Sequence, residues 1–355
     1  MKDIHLPAEW APQDLIQVAF PSMDSDWKNY WDQVIPCYVN ILKVIASYQP
    51  VLVVCNDADA VRYYLKDINS SAIFLVEVPI NDTWTRDYGA ITIQTKEGFR
   101  ISDFIFNGWG NKFVADKDDK VSSFLFDLGI FNTSDYKQID LVLEGGSIES
   151  DGRGTLLTTT NCLLTTTRNP HLSQQQIEEK LKNTFGLDSV LWLENGHLEG
   201  DDTDAHVDTL ARFCDADSIA YVQCADVNDA HYIGLKKMEE ELKQFKTLSG
   251  QFYRLIPLPM AEPVFAPDDG RRLPATYANF LIMNEVVLLP VYNCSSDILA
   301  LQQVQKAFPN KKIESVDCSA LILQHGSLHC MTMQFPKGSI NWDVLRKFSL
   351  DSYLP

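Results

Sequence analysis

Short apolar runs recur along the chain, separated by longer segments whose apolar positions return at helical spacing. The short runs predict strands at residues 15–20, 51–54, 72–78, 90–94, 141–143, 155–158, 218–222, 254–258, 280–283, 286–290, 315–317 and 328–333. The longer segments predict helices over 27–48, 58–67, 173–185, 232–245 and 297–307, with Ser173 and Asp297 as N-caps whose side-chain oxygens satisfy free amides of the first turn. The mixture is α/β. No Ser/Gly linker, low-complexity tract or composition shift divides it, so a single domain over 1–355 is expected. Acidic or polar residues closing a strand recur at Asp24, Asp87, Glu144, His206, Asp268 and Cys330, roughly sixty residues apart, which predicts about five repeated strand-helix modules with their loops around one centre.

Composition narrows the classes. With 45% hydrophobic and 22% charged residues the chain is that of a soluble globular protein, which excludes a disordered or fibrous one. Forty-eight acidic against 30 basic side chains give a formal charge of -18, and no Lys/Arg-rich run offsets it. Nucleic acid is therefore not an expected partner, whereas a small cation is favoured by the negative field. Eight cysteines without a C-x-x-C pair read as reduced thiols. The start, MKDIHLPAEWAPQD, lacks the apolar run of a signal peptide, and no apolar stretch is long enough to span a bilayer, so a cytoplasmic protein with no membrane partner is expected.

Four segments carry candidate chemistry. In Gly200-Asp201-Asp202-Thr203-Asp204-Ala205-His206-Val207-Asp208, an extended backbone would put Asp202, Asp204, His206 and Asp208 on one face, an arrangement that needs partners or a cationic ligand. Asp201 and Asp202 read more simply as an acidic loop with a capping role, while the cluster would raise the His206 imidazole towards the range useful for acid–base work. A metal competes for such a cluster, but no second histidine at helical spacing and no H-E-x-x-H or paired-cysteine signature supports one, so none is expected. Near the C-terminus, Cys330 lies at the mouth of the strand predicted for 328–333 and is a candidate nucleophile for a histidine distant in sequence; His329 would point to the opposite face and is the poorer candidate. In Asn81-Asp82-Thr83-Trp84-Thr85-Arg86-Asp87-Tyr88-Gly89, an indole beside a carboxylate suits a flat delocalised cation. Glu144 closes a strand before Gly145-Gly146.

Taken in order, these segments resemble the agmatine deiminase family (the bacterial peptidylarginine deiminase-like family) within the pentein superfamily of guanidine-modifying enzymes. The resemblance runs through Pro7-Ala8-Glu9-Trp10, Trp84-Thr85-Arg86-Asp87, Glu144-Gly145-Gly146, Arg168-Asn169-Pro170, Asp201-Asp202-Thr203-Asp204-x-His206-x-Asp208, Ala211-Arg212-Phe213 and His329-Cys330-x-Thr332. It implies five ββαβ-like modules about a pseudo-fivefold axis and hydrolysis of agmatine in putrescine synthesis without cofactor or metal. By motif match it places Cys330 as nucleophile, His206 as general acid–base, Glu144 as its acidic partner, Asp87 and Asp208 as guanidinium-binding carboxylates and Trp84 beside the substrate. Asp202 or Asp204 would take the distal ammonium, and a homodimer is compatible with the resemblance. Ala205 stands where the family often has glycine before the histidine, and Gln324-His325 where glycines often precede the nucleophile loop. Three alternatives stand beside this reading: a deiminase of arginine or peptidyl-arginine, a non-catalytic guanidine-binding protein, and a metallohydrolase built on His206 and the aspartates.

Overall fold

The most continuously apolar run, Val51–Cys55, is a strand buried at every position, which is the sequence character of a strand with neighbours on both sides and layers on both faces. It pairs in parallel with Gln13–Ala19 and with Ile73–Glu77, and Thr332–Pro336 adds antiparallel to Gln13–Ala19. Parallel neighbours need a crossover, here the helix Trp31–Ala46, whose Val34, Ile35, Tyr38, Ile41, Leu42 and Ile45 form its buried stripe. The structure, a computed structural model, describes residues 3–68 and 70–350.

The chain groups into two units, each drawn from two stretches of sequence: Ala11–Gly145 with Cys330–Pro355, and Met1–Trp10 with Gly146–His329. The first contains the sheet just described and a second in which Ile91–Thr95 runs antiparallel to Gly98–Ile105, itself parallel to Tyr136–Val142. The other unit repeats that plan three times. Ile148–Ser150 is antiparallel to Thr155–Thr159 and the latter parallel to Ser189–Leu193, with the helix Gln174–Phe185 in the crossover. Ala211–Asp215, Ser218–Gln223 and Arg254–Pro259 do the same around the helix Tyr232–Leu242. Leu281–Ile282, Val286–Val291 and Lys312–Asp317 do so around Ser296–Ala307. Among the described residues five ββαβ-like modules are therefore present, as the sequence rhythm predicts. Two of its anchors, Asp24 and Asp268, lie instead in exposed surface turns, where Asp268 pairs with Arg271.

Ser173 caps its helix as predicted: its Oγ accepts from Gln176 N–H and Gln176 Oε1 accepts from Ser173 N–H, a reciprocal capping box. Asp297 does not cap. It lies inside the first turn, where its carboxylate accepts from the backbone N–H groups of Tyr292 and Cys294 and from the Tyr277 hydroxyl, and so fixes the preceding loop. The helix predicted over 27–48 divides into a 3₁₀ segment, Asp26–Tyr30, and the helix Trp31–Ala46. The strand predicted for 328–333 starts only at Thr332, because the backbone before it is engaged elsewhere: His329 N–H donates to Asn279 Oδ1 and the Cys330 carbonyl accepts from Arg86 N–H. All eight cysteines are free thiols. No helix among the described residues is long and apolar enough to cross a membrane.

Candidate active site

In the unit that contains Cys330, the Arg86 peptide joins two turns. Arg86 sits in the short helix Thr85–Tyr88; its N–H donates to the Cys330 carbonyl at 3.1 Å, and its carbonyl oxygen packs against Gly145, next to Glu144. A Cβ on Gly145 would stand 2.1 Å from that oxygen, so the glycine after Glu144 is required by backbone approach. Cys330, Glu144, Asp87 and Trp84 are all buried here. Gly145→Ala is expected to cost roughly 1–3 kcal/mol through overpacking and to lower turnover more than its stability loss explains, since the shift passes through Arg86 to Cys330; denaturant unfolding and initial rates measured together check it.

The Asp87 carboxylate accepts from Trp109 Nε1 at 2.9 Å. Trp109 is aimed by an unusual turn: Gly108, Trp109, Gly110 and Asn111 all have positive φ, between 57° and 85°. L-residues resist that conformation by roughly 1–2 kcal/mol each. Asn107 holds the turn closed, its side chain accepting from Gly110 N–H and its carbonyl from Asn111 N–H, both at 2.8 Å. The other end of the Asp87 segment is pinned by buried acids. Asp118 accepts from the backbone N–H groups of Asn81 and Asp82, and burial pushes its carboxyl up to about 8. Trp27 Nε1 donates to Thr83 Oγ1 at 3.1 Å and its ring packs 5.7 Å from that of Trp84.

In the unit that contains His206, residues 200–208 are not extended, and the four polar side chains do not share a face. Asp204 and Ala205 are left-handed, with φ of 65° and 66°, because Asp201 draws the loop round itself: its carboxylate accepts from Thr203 N–H, Thr203 Oγ1 and Ala205 N–H. Asp201 thus has the capping role that its sequence predicts. Asp204 accepts from Arg168 Nη1 at 2.6 Å, and the Asp202 side chain is 41% exposed and 3.5 Å from His325 Nε2. His206 and Asp208 are fully buried, His206 at the entry and Asp208 inside the 3₁₀ turn Val207–Thr209. Ala205 and His325, both at positions where the family often has glycine, carry positive φ. Hydrogen bonds offset the strain, Thr159 Oγ1 donating to the Ala205 carbonyl and His325 Nδ1 to the Gly200 carbonyl.

Behind Asp208 lies a buried ionic cluster that sequence reading did not assemble. Arg212 donates through Nε to Glu149, through Nη2 to Glu9, and through Nη1 to the carbonyls of Ala278 and Phe280. His329, the poorer candidate by sequence, bridges Glu9 and Asp208. Glu9, Glu149 and His329 are close enough to hold a metal ion, but the Arg212 guanidinium donates to both carboxylates and occupies the place of a cation. Burial alone would push the Asp208 carboxyl up; the hydrogen bond and charge of His329, with His206 and Arg212, outweigh it and hold the group below the usual carboxylate range. The signals for this cluster were present in Pro7-Ala8-Glu9-Trp10 and Ala211-Arg212-Phe213, motifs that matched without revealing a role. For Trp109 the signal was a tryptophan between two glycines.

Comparison with known proteins matches residues 5–336 to the Porphyromonas-type peptidyl-arginine deiminase family. A solved structure from Porphyromonas gingivalis, provisionally called an arginine deiminase, is 44% identical with a TM-score of 0.91, covering 95% of this chain and 100% of its own. A serine-for-cysteine variant of the C. jejuni agmatine deiminase, solved with substrate bound, is 40% identical with a TM-score of 0.88, covering 95% and 97% of the two chains. The agmatine deiminase of Pseudomonas aeruginosa (strain UCBPP-PA14) is 31% identical over 353 residues, 93% of this chain and 95% of that protein.

Proposed function

Because the chain belongs to the Porphyromonas-type peptidyl-arginine deiminase family and has its pentein fold, we propose that it hydrolyses agmatine to N-carbamoylputrescine and ammonia through a covalent cysteine intermediate. The observation that carries the reading is the preparation of two buried carboxylates, Asp87 held by the Trp109 indole and Asp208 held ionised by His329. Buried carboxylates kept charged are costly unless a cation meets them, and a guanidinium offers each a pair of N–H donors.

A guanidinium carbon is a poor electrophile, so orientation against a thiolate supplies much of the rate. In this mechanism Cys330 Sγ bonds to the guanidino carbon, the C–N bond to one terminal nitrogen breaks, and His206 gives that nitrogen the proton with which it leaves as ammonia. The remaining thiouronium is attacked by water, whose proton passes to His206. The C–S bond then breaks as the second water proton passes to solvent, returning the thiolate and releasing the ureido product. Glu144 orients the imidazole, and Trp84 stacks on the delocalised cation. The substrate's own charge favours the thiolate in surroundings rich in carboxylates. Asp202 or Asp204 would meet the distal ammonium; in the free protein Asp204 accepts from Arg168 and Asp202 lies 3.5 Å from His325 Nε2. The product feeds putrescine synthesis in a cytoplasmic enzyme.

The P. gingivalis relative gives arginine deimination a claim as the second reading. Purified protein incubated separately with agmatine, free arginine and an arginine-containing peptide decides between them. Ureido product and ammonia in equal amounts from agmatine, with at least about tenfold lower rates on the other two, are expected. Product from arginine or peptide alone would replace the substrate assignment, and none from any guanidine would refute it.

A further inference from the structure

We infer that His329 is a positioning residue, an imidazolium clamped between Asp208 and Glu9 that fixes the guanidinium-binding carboxylate in one orientation and in its ionised form. The inference rests on the assignment of Asp208 to the substrate guanidinium. His329 Nδ1 is 2.8 Å from Asp208 Oδ2, and Nε2 is 2.8 Å from Glu9 Oε2. An ionised carboxylate only accepts, so a ring that donates to both of them uses an N–H on each nitrogen, whereas a neutral imidazole has one. Arg212 Nη2 lies 3.0 Å from Nε2, but it also donates to Glu9, so Glu9 takes protons from both cations and keeps them from facing each other bare. The ring cannot turn away. Its own backbone N–H is bonded to Asn279 Oδ1, and the side chain is buried.

The charged groups that face the pair come from separate elements. Glu9 comes from the N-terminal segment, Glu149 from the strand Ile148–Ser150, Arg212 from Ala211–Asp215, and His206 from the loop that carries Asp208. This gives roles to Pro7-Ala8-Glu9-Trp10 and Ala211-Arg212-Phe213: Arg212 holds Glu9, Glu9 holds the proton on His329, and His329 holds Asp208. The effect on pH has a definite sign. A carboxyl held below its ordinary range stays charged above that range and is lost as pH falls through its lowered value; without the imidazolium, burial dominates and Asp208 protonates at higher pH.

The test is the pH profile of kcat/KM for agmatine in the wild type and in His329→Gln, with kcat and KM resolved. The acid limb should move up by about one pH unit or more, with the rise in KM confined to that limb and kcat on the plateau changing less. A uniform loss at every pH, with the acid limb unmoved, would overturn the inference and leave His329 a packing residue. Should His329→Gln fail to fold, Glu9→Gln carries the same test, because an amide there lets Nε2 accept and lose its proton; it should shift the limb in the same direction by a smaller amount. A readout independent of turnover is the ¹⁵N spectrum of histidine-labelled enzyme, with His329 assigned from the variant's missing signal. Protons on both ring nitrogens at pH 7 are expected, and a neutral tautomer there would overturn the clamp even in a protein inactive on agmatine.

Discussion

On the proposed covalent route, Cys330→Ala is expected to lower agmatine turnover by roughly 10⁴-fold or more, a loss on the order of 5 kcal/mol of transition-state stabilisation. The size follows from the chemistry. Without a thiolate no covalent bond forms to the guanidino carbon, and water must attack a resonance-stabilised cation directly. Binding should survive, because the carboxylates of Asp87 and Asp208 and their donors Trp109 and His329 are untouched. The variant is therefore expected to be inert but still stabilised by agmatine in a thermal unfolding assay, at a few multiples of its Kd. Ammonia and ureido product at more than a percent of the wild-type rate would sink the nucleophile assignment. Loss of both binding and turnover would point instead to a collapse of the turn that Arg86 ties to Cys330.

The largest stability effect is expected at Arg212. It is completely buried, ion-paired to Glu9 and Glu149, bonded to two carbonyls and stacked 4.7 Å over the Phe280 ring. Arg212→Met keeps much of the volume and removes the charge, leaving Glu149 without its cation and Glu9 with His329 alone. Breaking one side of such a cluster costs about 3–5 kcal/mol. The deficit should depend on pH with a definite sign. Burial already pushes the Glu149 carboxyl up against the opposing pull of Arg212, and with that cation gone it rises further; stability is then recovered as pH falls towards the ordinary carboxylate range and lost as it rises. Urea unfolding at pH 5 and pH 7 checks it. An equal loss at both values would mean that Arg212 acts by packing alone.

Continuous apolar strands such as Val51–Cys55 and the capped helix after Ser173 were legible because local pattern and burial agree there. The strand Ala211–Asp215 was not, since Arg212 and Asp215 break its apolar run, and the partners that offset a buried arginine, Glu9 and Glu149, are distant in sequence. Period-two reasoning failed for 200–208 because one side chain, Asp201, captures backbone donors on both sides of Thr203 and bends the loop through two left-handed residues. His329 was set aside because alternation was assumed where the backbone turns. Motif matching selected the individual acids, the histidine and the cysteine. It could not say what holds Asp87 and Asp208, because their partners Trp109 and His329 lie outside their own motifs.

The bond between Glu9 and His329 spans 320 residues, and the strand Gln13–Ala19 likewise waits for its antiparallel neighbour Thr332–Pro336. A ribosome emits the first of each pair tens of seconds before the second, at roughly 5–20 residues per second. Throughout that interval the nascent chain presents an apolar strand with an open edge and an uncommitted acid. Folding of both units therefore completes only after Thr332–Pro336 has been made, and chains that stop before Thr332 keep a bare edge that favours aggregation over a partly working enzyme.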